Sequence, residues 1–271
     1  SFPTRRSSDL NSINIAFNYI FTGLDEKIET ILNAVEVEPI NSTITFTPNN
    51  KKPFEITESK NGKRVNKLNL YNQINEQFLT TNKINVSLDY VEEIPTITKE
   101  YNESLTQKIA TFSTKVADST GGRKHNVKLA LSKFNGFELM PNQTVSFNEV
   151  VGAHTTENGF KSATIIYNGE FTEGIGGGIC QASTTLYNAL LLSGVRIDEV
   201  HRHTLPVKYV PLALDAMVAE YTSDLKFTNT SDYPIYIKTY SDSKSVSVDI
   251  YSHTPTYTYK TRSETINTIK S

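Results

Sequence analysis

A single cysteine, Cys180, in 271 residues is the tightest constraint on what this chain can become. No intrachain disulfide can close and no cluster of thiolates can hold zinc, so the fold must rest on side-chain packing alone. The material for a core is present. Hydrophobic residues make up 37% of the chain and charged residues 21%, too apolar and too weakly charged a mixture for a disordered polymer. At roughly 100–200 residues per domain the length suggests about two domains. Lys plus Arg number 27 and Asp plus Glu 29, a net charge of −2, which offers no general attraction for nucleic acid. No apolar run approaches the roughly 18–20 residues needed to cross a bilayer. Residues 1–10 (SFPTRRSSDL) fit no periodic pattern and are set aside as a leader of non-native origin. On that reading, any contact with a membrane is expected only through an N-terminal anchor that this stretch replaces.

The pattern of apolar positions predicts an α+β protein. Residues 11–95 read as a small α+β domain. Ile13, Ile15 and Phe17 alternate as in a strand, and Leu24, Ile28, Ile31 and Leu32 share one helix face. Ile44 and Phe46 with Phe54 and Ile56 read as a hairpin, Leu70, Ile74, Gln77 and Phe78 as a second helix, and Ile84, Val86 and Leu88 as a strand. This stretch holds no Cys or His, so binding or spacing suits it better than catalysis. Residues 96–122 read as a connector. A second α+β domain follows over 123–253, with helices at Val127–Phe134 and Ala182–Leu190, the latter closed by Gly194. A strand is expected at Val207–Val210. Leu225/Phe227, Ile235/Ile237 and Val246/Val248/Ile250 then read as an antiparallel meander. Residues 254–271, rich in Thr and Lys, read as a flexible tail.

The stretch Gly174-Ile175-Gly176-Gly177-Gly178-Ile179-Cys180-Gln181 feeds a cysteine onto the start of a helix. Glycines allow close approach of a substrate and positive φ. The helix N-terminus offers unpaired N–H groups and a positive dipole end, which favour a thiolate. Amides of Gly177, Gly178 and Gln181 are candidates to hold a developing oxyanion. A thiolate nucleophile needs a base, and His201 and His203 lie about 20 residues downstream, on one face if the segment is extended. Glu199 and Asp215 are the nearest carboxylates to orient an imidazole. The residues alone leave other readings open: Cys180 as a small buried hydrophobe, or a His201/His203 metal pair completed by His154 or Glu173. The glycine run matches no phosphate-binding fingerprint.

Gly176-Gly177-Gly178-Ile179-Cys180-Gln181-Ala182-Ser183-Thr184-Thr185-Leu186-Tyr187-Asn188-Ala189 resembles the central signature of the VanW family. Two ordered flanking blocks agree with it: Pro141 to Gly152 (PNQTVSFNEVVG), and His203-Thr204-Leu205-Pro206-Val207 with Tyr209-Val210-Pro211 and Asp215-Ala216. The resemblance covers Arg123 to Ser252, and residues 11–95 resemble the peptidoglycan-binding-like domain that often precedes VanW domains. Two departures stand out. His154-Thr155 occupies the place of an Arg-Thr pair, and Ala213-Leu214 replaces a Gly-x pair before Asp215, where Ala does not readily take positive φ.

The resemblance implies an extracytoplasmic protein of Gram-positive-type bacteria, linked to glycopeptide resistance and placed in the cell wall or anchored on the outer face of the membrane. It further implies a cysteine-dependent L,D-transpeptidase that joins peptidoglycan stem peptides without a cofactor or metal. Cys180 would be the nucleophile and His203 the base; Asp215 carries over as a motif residue, to which we assign the orienting of the imidazole. Gly177, Gly178, Gln181, Ser183, Thr184, His201 and His154 would line the substrate and oxyanion side. The alternatives are a non-catalytic peptidoglycan-binding scaffold, and a cysteine peptidase or amidase that passes the acyl group to water.

Overall fold

The structure is a computed structural model that describes residues 23–78, 80–81, 83–167 and 170–264. Its elements run α1 (Leu24–Val35), β1 (Ile44–Phe46), β2 (Phe54–Ile56), β3 (Gly62–Val65), α2 (Lys67–Phe78), β4 (Tyr90–Glu93), α3 (Lys99–Ser104) and β5 (Gln107–Lys115). There follow α4 (Gly121–Ser132), β6 (Phe137–Leu139), β7 (Thr144–Ser146), α5 (Phe147–Val151), β8 (Ser162–Tyr167) and β9 (Glu170–Ile175). The last are α6 (Ile179–Ser193), β10 (Arg196–Glu199), β11 (Lys226–Thr228), β12 (Ile235–Ser241) and β13 (Ser245–Ser252). Helices and antiparallel sheets together make an α+β protein, as the sequence pattern predicts.

The chain divides into two compact units. The first comprises residues up to Ile40 together with Asn61–Ile94, and the second Asn41–Lys60 with Pro95 onward. In the first, α1 and α2 bury Ile28, Leu32, Leu70 and Ile74 with Val65, while β3 pairs antiparallel with β4. Arg64 gathers Glu36, Glu38 and Glu93 around one guanidinium. The strand expected at Ile84–Leu88 does not form. Its backbone groups at Asn85 and Ser87 bond instead to the side chains of Gln77 and Gln73 on α2, and the pairing strand lies later, at β4. The strand expected at Ile13–Phe17 lies outside the described residues.

The hairpin β1–β2 has the expected partners, Ile44 with Ile56 and Phe46 with Phe54. It belongs to the second unit, however, because Phe46 and Phe54 stack on each other and pack their rings on Tyr236 and Tyr251. Residues 96–122 form part of that unit too. β5 is an edge of the four-stranded sheet β5-β13-β12-β6, and α4 begins at Gly121, capped by the Thr120 hydroxyl. Only part of the expected meander forms. β12 and β13 make an antiparallel hairpin, whereas β11 joins β10 and β7 in a second sheet. No strand occupies 207–210. Beyond His253 the described tail carries no regular element, yet Ser263 donates to the Leu212 carbonyl and Tyr259 lies against Gly194.

α6 is the axis of the second unit. It packs on β5 and β13, on α4 and on β10. Left-handed glycines bound it, Gly178 (φ 110°) before the first turn and Gly194 (φ 78°) after the last. Ala182, Leu186, Ala189 and Leu190 are fully buried with Val127, Ala130 and Phe134 of α4 and the residues beyond it. The polar residues Gln181, Ser183, Thr184, Thr185 and Asn188 of the same helix are buried as well, and each makes at least one hydrogen bond, although Asn188 Oδ1 has no partner among the described residues.

Ala213 adopts the left-handed conformation (φ 63°), so the turn before Asp215 keeps a glycine-like backbone without glycine. The left-handed region costs Ala about 1–2 kcal/mol, against roughly 0.5–1 kcal/mol of extra chain entropy that glycine loses on folding. Ala213→Gly is therefore expected to raise the unfolding free energy by roughly 0.5–1 kcal/mol. A urea denaturation midpoint equal to or below the parent value would contradict this.

Candidate active site

The site is assembled by a strap, residues 214–218, that runs along one face of α6. Asn188 Nδ2 donates to the Leu214 carbonyl (2.8 Å), Ser183 Oγ to the Ala216 carbonyl (2.6 Å), and Cys180 Sγ to the Val218 carbonyl (3.3 Å). Thr184 Oγ1 accepts from the Ala216 amide (2.9 Å). One helical turn rises about 5.4 Å and two extended residues about 6.6 Å. Groups one turn apart on α6 can thus meet every second carbonyl of the strap. Ser183 and Thr184, expected on the substrate side, are fully buried and committed to this strap.

Holding Ala216 fixes Asp215. Its Oδ2 accepts from both the backbone amide (2.8 Å) and Nδ1 (2.7 Å) of His203. With Nδ1 taken by Asp215, Nε2 is the ring nitrogen left for Cys180, whose proximity raises the His203 pKa. Burial alone would depress the His203 pKa, but Cys180 and then Asp215 more than offset it and hold it above 6.5. Burial pushes the other way on Asp215 and is likewise overcome, by the His203 amide and ring, so its carboxyl lies below 3.8. Cys180, His203 and Asp215 are therefore brought together, with Cys180 half-buried.

The neighbouring loop is built by close approach. Gly177 is buried against β8, where a Cβ would lie 2.6 Å from the Thr164 carbonyl oxygen. Asn126 of α4 ties both ends of the β8–β9 hairpin by bonding the Lys161 amide and carbonyl and the Gly177 carbonyl. The amides of Gly178 and Cys180 have no hydrogen-bond partner among the described residues. The Gln181 amide, by contrast, is taken by the Gly178 carbonyl (2.8 Å), and its side chain reaches Thr114 and the Lys115 carbonyl. Gln181 is thus withdrawn from the oxyanion role expected of it.

The remaining expected residues sit apart from the triad. His201 bonds Glu199 (2.9 Å), a carboxylate that Lys226 and His201 hold down at about 2. The two neighbouring histidines therefore serve different carboxylates. His154 packs against Gly176 and edge-on to Phe160. Burial lowers its pKa despite nearby Glu220, and its Nε2 is buried without a partner among the described residues. Glu173 bonds Ser162 and Thr164, and among the described residues no three His, Cys, Asp or Glu side chains converge to hold a metal.

Two site residues went unread in the sequence. Tyr209 lies close to Thr184 and Cys180, and burial raises its pKa. The guanidinium of Arg123 lies over the Tyr209 ring, 5.8 Å from its centroid. Tyr209 falls within the recognisable YVP block, so a contact to the cysteine helix was inferable. Arg123 carries no signal beyond its place in the first turn of α4.

Comparison with known proteins agrees with this architecture. Residues 122–251 match the family model described as "VanW like protein", and residues 3–87 match the one described as "Putative peptidoglycan binding domain". The chain is 40% identical over 147 residues to "Uncharacterized protein YoaR" of Bacillus subtilis, covering 54% of this chain and 48% of that protein. It is 29% identical over 154 residues to "Vancomycin B-type resistance protein VanW" of Enterococcus faecalis, covering 54% and 55%. The chain thus spans about half the length of these curated relatives. No solved structure matches it significantly. Among the described residues no helix is long and apolar enough to cross a membrane. The two domain matches and these relatives place a VanW family domain at residues 122–251 of this chain, preceded by a match to the peptidoglycan-binding domain.

Proposed function

We propose that this cell-wall-related protein is a cysteine-dependent L,D-transpeptidase acting on peptidoglycan stem peptides. The observation that carries this reading is the Cys180–His203–Asp215 constellation, with Asp215 2.7 Å from His203 Nδ1 and the thiol influencing the same imidazole. An acidic group on one ring nitrogen and a thiol by the other is the arrangement that activates a cysteine for acyl transfer. The matches to a peptidoglycan-binding domain and to a vancomycin-resistance protein support the cell wall as the setting.

In the proposed reaction the Cys180 proton passes to His203, and Sγ attacks the carbonyl carbon of an L-residue linked to a terminal D-residue. The free amides of Gly178 and Cys180 receive the oxyanion. The C–N bond breaks, and the departing amine takes the proton from His203. An amine of a second stem then attacks the thioester and gives its proton to His203. The new C–N bond forms, the C–S bond breaks, and the thiolate returns. Asp215 holds the ring in register and stabilises the imidazolium. The first unit, without Cys or His, would hold the glycan strand or space the catalytic unit from its attachment.

Incubation of Cys180→Ala protein with disaccharide-tetrapeptide is expected to give no cross-linked dimer by mass analysis, a loss of at least about 10³-fold, with the fold and wall binding retained. Dimer formation by the variant at the parent rate, or hydrolysed monomer alone from the parent, would contradict the proposal.

The buried ion pair also makes a signed prediction about pH. The His203 pKa is raised on folding, so its contribution is complete below about 6.5 and is lost as pH rises through the folded value. The Asp215 pKa is lowered, so its contribution is present above about 3.8 and is lost as pH falls through the folded value. The melting-temperature difference between the parent and Asp215→Asn is therefore expected to be largest between about pH 4 and 6.5. The His203 NMR titration should also shift to lower pH in the variant. A difference independent of pH, or an unmoved titration, would contradict the pairing.

A further inference from the structure

Arg123 is a cation packed on the glycine turn that leads into Cys180. Among the described residues its Nη1 is buried without a hydrogen-bond partner, and its guanidinium lies over the Tyr209 ring. A Cβ at Gly178 would come within 3.0 Å of both Arg123 Cγ and the Arg123 carbonyl oxygen. Desolvating part of a guanidinium without pairing it is unfavourable, and the other cations close by are already engaged. Arg202 donates to the Asp215 carbonyl and the Tyr187 hydroxyl, and Lys124 reaches the carbonyls of Ala117 and Ser243. Glu173 of the β8–β9 hairpin is taken by Ser162 and Thr164.

We propose that Arg123 binds the free α-carboxylate of the terminal residue that leaves when Cys180 attacks, and so restricts the enzyme to stems that end one residue beyond the scissile bond. The inference rests on the acyl-transfer reading of the site. Only the amide nitrogen and one Cα separate the attacked carbonyl from that carboxylate, so the carboxylate must sit within about one residue's reach, roughly 3.8 Å, of the scissile peptide. Gly178, on which Arg123 packs, stands two residues before Cys180. The Arg123 side chain therefore starts beside the backbone turn that leads into Cys180, and its guanidinium lies over the Tyr209 ring. A guanidinium matches a carboxylate in a two-pronged geometry that a lysine cannot reproduce. A stem extended by a further residue, or capped as an amide, presents no charge there and leaves the cation unpaired. Arg123 acts here as a specificity-determining residue.

The test separates recognition from turnover. Binding of a stem tetrapeptide and of its C-terminal amide is measured by calorimetry on full-length Cys180→Ala protein, with and without Arg123→Gln. Cross-link formation by the Cys180 protein is followed in parallel on both peptides. Charge-assisted hydrogen bonds of about 1.5–3 kcal/mol correspond to roughly 10–100-fold tighter binding of the acid than of the amide. Arg123→Gln is expected to bring the two within about twofold by weakening the acid alone, and Arg123→Lys to restore only part of the preference. Equal preference for acid over amide in the parent and in either Arg123 variant overturns the proposal, as does a parent with no preference. Preference present in the parent and lost in the variant, with no cross-link from either peptide, upholds the carboxylate site and refutes transpeptidation instead. Should Arg123→Gln fail to fold, Arg123→Lys alone decides: an undiminished preference overturns the two-pronged contact, and a reduced one supports it.

Discussion

The chemistry of this protein depends on a short polar ladder buried inside its second unit. Asn188, Ser183, Thr184 and Cys180 on α6 hold the backbone of Leu214, Ala216 and Val218. Each of these hydroxyl and N–H donors left without its partner would cost about 1–3 kcal/mol, so the four bonds form together as the segment docks, with Asn188 Oδ1 alone left unpaired among the described residues. Docking sets the position of Asp215, and Asp215 sets the His203 ring, whose pKa Cys180 also influences. A helix whose apolar residues build the core thus uses its polar residues to place a carboxylate of the candidate site that is 35 positions away from Cys180 in sequence.

That dual use explains what could and could not be read from the chain. The two long helices of the second unit and the β12–β13 hairpin were legible because Val127, Ala130 and Phe134, or Val246, Val248 and Ile250, repeat at the helical or strand period and all point to one core. The grouping of Cys180, His203 and Asp215 was legible from motif blocks rather than from periodicity. The roles of Ser183 and Thr184 were not, since a hydroxyl beside a nucleophile reads equally as a substrate contact or a buried tie. Only the placement of Ala216 decides between them. The Ile84–Leu88 strand failed for a related reason. Alternation sets where side chains point, but Gln73 and Gln77 supplied its backbone partners from a helix, and no period reports that. Sheet membership is set by long-range pairing, so nothing near β11 in sequence distinguishes a strand of the meander from one that leaves it for β10 and β7. Residues 41–60 show the same limit, since their allegiance is decided by Tyr236 and Tyr251, almost 200 residues away.

The site also divides its charges with some care. His203 and Asp215 are both largely withdrawn from water, and each moves the other toward its ionised form. Two residues earlier, His201 is matched to Glu199, which Lys226 also holds. Neighbouring imidazoles are thus kept on separate carboxylates. The cation at Arg123 stands outside both pairs, its guanidinium over the Tyr209 ring.

The most direct measurement of the central claim is the intact mass of the protein during reaction with a stem tetrapeptide in the absence of an acceptor amine. The account predicts an adduct equal to the tetrapeptide less its terminal residue, located on Cys180 by peptide mapping and discharged by hydroxylamine. An unmodified mass with the peptide demonstrably bound, or an adduct on any other residue, would contradict it.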